Sequence, residues 1–401
     1  MNQPNRPRLT RRQLLQRAGA LGATGLSLNA LLSGRVVQAG GRARPSVRRS
    51  PAFRPRAVGG ELYVENWTAY IDPTEDGLVG TVDRFIEATG VDLTYTEAYN
   101  DNNEYFALIQ PILGRGDTID PDIIVPTSWM AGRLISLGWV DELPLDQVPN
   151  AANLRDDLVN PAWDPDGAYS LPWQTGITGI AYNLEATGRE LGSVDDLFDP
   201  EFNGKIGMLT EMRDTVGLVL LSLGVDISTI SSFDEAAPAF EQIQQAKDDG
   251  QIRAFTGNDY LADLEAGNFA ACVGWSGDVA QLSVENPNIR FFVPESGGVS
   301  WADTMVMPKG ADSRDQAAAW MDFVYDPVQA AQITAWVQYV SPVKGVRDEI
   351  ANSEDPDVAA LAENPLIFPD DAMLANLHAF ANLDEDTEAE FDEAFSSIVG
   401  A

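Results

Sequence analysis

Three short runs decide the fold: Glu61-Leu62-Tyr63-Val64-Glu65-Asn66-Trp67, Val91-Asp92-Leu93-Thr94-Tyr95 and Asp122-Ile123-Ile124-Val125. The first two alternate or run apolar over strand length, and the third is a compact apolar run of the kind that sits buried in a parallel sheet. Between them the spacing changes to a helical period. Leu78, Val82, Phe85 and Ile86 fall on one face of Gly77 to Thr89, with Gly90 as the stop, and Glu104 to Leu113 is helical again. Ser128 is positioned to cap a third helix that ends near Leu137-Gly138. The order β-α-β-α-β-α predicts a mostly parallel sheet flanked by helices.

Downstream of Pro172 a second series begins. Strands are expected at Gly179–Tyr182, Lys205–Met208, Ala270–Gly274 and Asp303–Met307. Helices are expected over Asp214–Leu223, Phe233–Lys247 and Arg314–Tyr325, followed by an acidic helical tail from Ala372 to Ile398. A chain of 401 residues is too long for one ordinary core and suits two domains. The fold class is therefore α/β.

Upstream of Glu61 the sequence reads as an address rather than as fold. Thr10-Arg11-Arg12-Gln13-Leu14-Leu15 followed by the mild apolar stretch Ala18 to Leu32 has the form of a twin-arginine export signal, with a cut expected after Ala39. No Cys stands near that point, so no lipoprotein anchor is expected. Residues 40–60 form a Gly/Pro/Arg-rich linker with six Arg, expected to be disordered. The chain should be exported, to the periplasm or the cell surface.

Charge sharpens this division. Residues 1–60 hold 12 Arg and no acid, so residues 61–401 carry 14 basic against 61 acidic side chains, a net of −47, with only four Lys. Such a surface repels nucleic acid and anionic ligands. Adaptation to high salt explains it as well as attraction of a cationic ligand does, since a carboxylate-rich surface stays hydrated and screened. Cys272 is the single Cys, within an apolar run, and reads as a core residue; His378 is the single His. A His-based triad or a multi-His metal site is thereby nearly excluded, and no Walker loop or G-x-S-x-G is present. No cofactor and no enzymatic activity are expected; a glycosidase using paired carboxylates is the rival class.

Ligands of open α/β sheets bind beyond the carboxyl ends of the strands, and those ends carry a repeated chemistry here. Trp67, Thr68 and Tyr70 follow the first strand; Thr127 and Trp129 follow Val125; Glu211 and Asp214 follow Met208; Trp275 and Asp278 follow Gly274; Trp301 and Asp303 border the next strand. Each has a plain packing or surface reading on its own. Together, aromatic faces that hold a cation or a methylene chain, beside carboxylates that pair with ammonium groups, suit a small organic cation.

These residues resemble the periplasmic spermidine/putrescine-binding proteins of ABC importers. The resemblance runs from about Glu61 to Asp370. It is carried, in order, by Asn66-Trp67-Thr68-Ala69-Tyr70, Asp122-Ile123-Ile124-Val125-Pro126-Thr127, Tyr169-Ser170-Leu171-Pro172-Trp173, Asp199-Pro200-Glu201-Phe202-Asn203-Gly204, Leu209-Thr210-Glu211-Met212-Arg213-Asp214, Gly274-Trp275-Ser276-Gly277-Asp278 and Pro294-Glu295-Ser296-Gly297-Gly298 before Trp301-Ala302-Asp303. It implies a type II periplasmic-binding fold with the ligand cleft between two lobes. The implied division is residues 61–177 with 303–346 for lobe 1 and 178–302 with 347–401 for lobe 2, with crossovers near Thr178 and Asp303.

The resemblance also implies that Trp67, Tyr70, Trp275, Trp301 and Tyr339 sandwich a methylene chain. Thr127 would bond an amine, and Glu211 or Asp214, Asp278 and Asp303 would hold ammonium groups. The segment Leu209 to Thr215 is one residue shorter than in the spermidine branch, and the family's last polar contact has no counterpart near Phe380. The implied partners are a small polyamine and a membrane permease, with the chain acting as a monomer. A binding protein of the same fold for a sugar, a betaine or a metal ion is the alternative.

Overall fold

The computed structural model describes residues 58–75 and 78–400. The export signal and almost all of the linker expected from the sequence lie outside the described residues. Among the described residues no helix is long and apolar enough to cross a membrane.

The first lobe is built on three parallel strands, β1 (Glu61–Trp67), β2 (Asp92–Tyr99) and β3 (Ile123–Ile124), in the order β2-β1-β3. Val64 pairs with both Tyr95 and Ile123, so β1 is central and its inward residues Leu62 and Val64 are buried. The crossovers are helices Thr81–Thr89 and Asn102–Leu113, and a third helix, Ser128–Ser136, follows β3. Gly90 ends the first of them in the left-handed region at φ 74°, its N–H returning to the Ile86 carbonyl, the stop that a glycine supplies at this position. The third helix begins one residue earlier than the sequence suggested. Thr127 rather than Ser128 is its capping residue, and the Thr127 hydroxyl is turned away from the helix to other work.

The second lobe holds a larger sheet in the order β12-β10-β5-β8-β6-β7, with β9 also joining β5. Its strands are β5 (Leu171–Asn183), β6 (Ile206–Leu209), β7 (Ile252–Thr256), β8 (Ala271–Trp275), β9 (Ile289–Phe292), β10 (Gly298–Met305) and β12 (Leu377–Ala379). Parallel pairs (β6 with β7 and β8, β10 with β12) are joined by antiparallel ones made by β5. Cys272 lies within buried β8, and burial pushes its thiol well up from the ordinary range. A two-stranded ribbon of β4 (Val140–Asp141) and β11 (Met307–Pro308) completes the first lobe.

Two long strands tie the lobes together. β5 is 13 residues, all buried, and reaches well beyond the apolar core Gly179–Tyr182 that its sequence advertises. Near its start Thr175 exchanges hydrogen bonds with Val340, and from Thr178 onward it pairs with β8. β10 runs antiparallel beside it; past its end Val306 exchanges hydrogen bonds with Ile124 at the first sheet. The helix Val346–Ala351 packs on Pro327–Val337, and the chain next joins the second sheet at β12. The tail is therefore not one helix. A short helix at Asp371–Leu374, the edge strand β12 and the helix Glu385–Val399 replace it, because Leu377 to Ala379 complete the free edge of β10.

Candidate functional site: an aromatic cavity with two carboxylate poles

A cavity of about 260 Å³ lies between the lobes. Ten of the twelve side chains singled out from the sequence line it: Trp67, Tyr70, Thr127, Trp129, Glu211, Asp214, Trp275, Trp301, Asp303 and Tyr339. Thr68 and Asp278 are not in its lining. The Thr68 hydroxyl donates to the Tyr99 carbonyl, and buried Asp278 accepts from the Tyr260 hydroxyl at 3.4 Å.

Backbone geometry explains how the aromatic rings reach the cavity. Among the described residues only three non-glycine residues have positive φ: Ala69 (54°), Asn160 (51°) and Gln338 (55°). Each immediately precedes a lining residue: Tyr70, Pro161 and Tyr339. A left-handed L-residue costs roughly 1–2 kcal/mol, and such strain persists only where its surroundings enforce it. At Ala69 the chain folds back directly after β1, so that both Trp67 and Tyr70 face the cleft. Trp67 is fixed by its indole N–H donating to the Val125 carbonyl at 2.8 Å. At Gln338 the left-handed cap of helix Pro327–Val337 delivers Tyr339.

Tyr339 then meets Tyr70 edge-to-face at 5.5 Å between ring centres, and Trp301 at 5.5 Å with a 59° tilt. Two glycines make room for this wall. A Cβ on Gly277 would lie 2.6 Å from the Tyr339 ring, and one on Gly176 would lie 2.1 Å from Trp301.

Two carboxylates stand in the cavity wall, Asp303 with its donors from the first lobe and Asp214 with its donors from the second. Asp303, beside an irregularity in the β10–β5 register, accepts from the Tyr70 hydroxyl at 2.9 Å and from the Thr127 hydroxyl at 2.8 Å. Asp214, in the first turn of helix Met212–Ser222, accepts from the Thr178 hydroxyl and the Trp275 indole N–H, both at 2.8 Å. The Trp301 indole N–H donates in turn to Thr178 at 3.0 Å. All of these donors are neutral, so they orient each carboxylate without cancelling its charge. The positive end of the helix adds support for the anion at Asp214.

Glu211 is the third acid. It accepts from the backbone N–H and the amide side chain of Asn102 in the first lobe, at 3.3 and 3.1 Å. Burial, reinforced by the charges of Asp101 and Asp214, pushes its carboxyl well above the usual range. Burial also raises Asp214, to about 6, against the pull of its indole and hydroxyl donors and of Arg213. The two acids of the second lobe are therefore both held above their ordinary range by burial, Glu211 also by the charges of Asp101 and Asp214.

Sequence reasoning missed several wall residues: Asp157, Trp163, Arg213, Asn258, Phe380 and Asn382. Trp163 sits on a loop organised by Asp164, whose carboxylate accepts from the N–H groups of Ala168, Tyr169 and Ser170; the Trp163 indole N–H donates to Ser170. Arg213 is buried, with its guanidinium 3.8 Å from the centre of the Trp129 ring. Burial lowers its affinity for a proton, opposed by Glu388, Asp392 and Glu211. Among the described residues no three His, Cys, Asp or Glu side chains group as a metal site.

Arrays of rings between two oriented anions can hold a flexible chain with a positive charge at each end. Comparison with known proteins agrees in kind. Residues 80–362 match the family model described as bacterial extracellular solute-binding protein. The chain is 27% identical over 335 residues to the putrescine-binding periplasmic protein of Escherichia coli strain K12, covering 79% of this chain and 85% of that one. It is 23% identical over 316 residues to the spermidine/putrescine-binding periplasmic protein of the same organism, again covering 79% and 85%. Among solved structures, the substrate-binding protein of a spermidine/putrescine ABC transporter from Streptococcus pneumoniae superposes with a TM-score of 0.69 at 24% identity, over 84% of this chain and 98% of that one. A lipoprotein of Treponema pallidum does so at 0.70 and 20%, over 85% and all of that chain. These likenesses establish the two-lobed architecture.

Proposed function

Because the chain belongs to the family of bacterial extracellular solute-binding proteins, we propose that it captures a polyamine, putrescine or spermidine, for a membrane permease of an ABC importer. The observation that carries this reading is the pair of carboxylate poles, Asp303 oriented by neutral donors of the first lobe and Asp214 by neutral donors of the second, with Tyr70, Tyr339, Trp301 and Trp275 beside them. A charge-assisted bond to each ammonium group and aromatic faces along the methylenes account for recognition without any bond being made or broken. The putrescine- and spermidine-binding relatives point to the same ligand class.

Closure about β5 and β10 is the proposed mechanism. Ligand touches both lobes at once only when they are together, so it binds the closed form more tightly and draws the population toward it. The closed surface then docks on the permease. Lobe boundaries at residues 177/178, 302/303 and 346/347, action as a monomer, and twin-arginine export without a lipid anchor belong to the same proposal. The test is calorimetric titration of the purified protein with putrescine, spermidine, spermine and glycine betaine in concentrated salt. Heat is expected with at least one of the first three and none with the betaine; no heat with any polyamine overturns the ligand assignment.

A further inference from the structure

Beside the cavity, and sharing Arg213 with its lining, a partly buried ion cluster crosses from lobe to lobe. The helix Glu385–Val399 is seated on the second lobe: it packs on helix Phe233–Asp248, with Phe391 edge-to-face against Phe233, Phe240 and Phe380. From it Glu388, 5% exposed, reaches in two directions. One carboxylate oxygen is 3.4 Å from Arg133 on the first-lobe helix Ser128–Ser136, and the other is 3.3 Å from Arg213 on the second-lobe helix Met212–Ser222. Asp392, one turn further along, lies 3.7 Å from Arg133. Both arginines also have aromatic faces to rest on, Arg133 on Phe106 and Arg213 on Trp129, and the latter contact again crosses between lobes.

We propose that Glu388 is an interlobe latch, a positioning residue that sets how readily the empty protein closes and so tunes ligand affinity without touching the ligand. The inference rests on the closure mechanism proposed above. Its physical basis is that a charge triad with Glu388 and Arg213 buried and Arg133 partly exposed gains Coulomb energy only in the closed form and gives up hydration to do so, leaving a small net bias. A small bias suits a protein that must also reopen. Arg213 Nε finds no hydrogen-bond partner in this buried position, so the triad is not fully satisfied and stops short of locking the lobes. Glu388 and Asp392 thus hold Arg133 while Glu388 also steadies Arg213 at the cavity wall. Ligand affinity is scaled by the fraction of closed protein, so the latch acts on every ligand by one common factor.

The test uses Glu388→Gln, Arg133→Gln, the double variant and Glu388→Asp. Interlobe distance is read by spin labels on surface cysteines, one per lobe, in a Cys272→Ser background, with and without ligand; titrations of spermidine and putrescine run in parallel. Glu388→Gln is expected to shift the empty protein toward the open distance and to weaken both ligands by about the same factor, roughly 5- to 20-fold. The double variant should lose little more than either single one, and Glu388→Asp should restore part of the effect. An unchanged distance distribution in the empty protein overturns the latch, whatever ligand the cavity takes. So does a loss confined to one ligand, which would mark direct contact. Because the distance measurement needs no ligand, failure of the latch is distinguishable from failure of the polyamine reading.

Discussion

The two carboxylate poles do the same job by different means. Asp303 is oriented by two hydroxyls that arrive from far away in sequence, Tyr70 from the turn after β1 and Thr127 from the end of β3. Asp214 is held by β5 and β8 through Thr178 and Trp275, at the first turn of a helix, with Glu211 three residues before it and Arg213 adjacent. The first pole has no other charged side chain in the lining beside it on its own strand. The second shares its surroundings with another acid and an arginine, and it titrates near neutrality. Two poles of equal formal charge should therefore differ in how strongly, and over what pH range, they hold an ammonium group.

The largest expected effect comes from removing the first pole. Asp303→Asn keeps the shape but loses the charge, and its amide cannot accept from both Tyr70 and Thr127. Truncating one side of a buried charged contact costs about 2–5 kcal/mol, so polyamine affinity should fall on the order of 100-fold by calorimetry, with the melting temperature little changed. Unaltered affinity would mean that the ammonium group lies elsewhere.

The second pole predicts a pH dependence. Asp214 binds a proton more tightly in the folded protein than its ordinary value of 3.8 would give, with a folded value of about 6. Below the ordinary value both folded and unfolded forms are protonated, and Asp214 makes no difference to stability. Between about 3.8 and about 6 the unfolded form has given up a proton that the native state keeps, so the empty protein loses stability across that window as pH rises, and above about 6 the loss is complete. An ammonium ligand reverses this by favouring the ionised form. Binding near pH 6 should therefore release protons, and affinity should fall as pH drops below about 6. Asp214→Asn should lower affinity about 10-fold at pH 8 and flatten the profile between pH 5 and 7. Proton release is checked by titration in buffers of different ionisation enthalpy; an unchanged profile in the variant would assign the titration to another group.

How much of this was legible in the sequence follows from the range of the signal. Strands β1, β3, β6 and β8 announce themselves because apolar runs between glycines and helical stretches are local patterns. β5 does not: Pro172, Gly176 and Gly179 interrupt its run, and its length is imposed by neighbours on both sides and in both lobes. β12 has three residues and exists only because β10 has an open edge. Strand-end position pointed to most of the aromatics and acids that line the cavity, but also to Thr68 and Asp278, which do not, while Tyr339 came only from the family resemblance. Trp163, on an irregular loop, and Arg213, one residue from a named acid, were not readable, since nothing in a sequence tells which way such a side chain turns. Glu388 is hidden more deeply still, as one acid among several in an acidic tail, singled out only by the two arginines that converge on it.

The smallest expected effect tests the wall between the poles rather than the poles. Gly277→Ala leaves both carboxylates and all four of their donors in place, but the new Cβ would lie 2.6 Å from the Tyr339 ring. Real Cβ atoms do not approach so closely, so the ring must move. It cannot move freely, because it is boxed in by Tyr70 and Trp301 and because its backbone follows the left-handed Gln338. The displacement is therefore expected to go into the cavity, against the methylenes of a bound ligand. Overpacking of this kind typically costs about 1–3 kcal/mol. Part of that would appear as a lower melting temperature and part as a several-fold loss of affinity. If the rings contact the chain and the carboxylates the ends, the loss should be similar at pH 6 and pH 8, unlike that of Asp214→Asn. A loss that varied with pH would show that Tyr339 works through a titrating pole, and the division of labour between wall and poles would have to be redrawn.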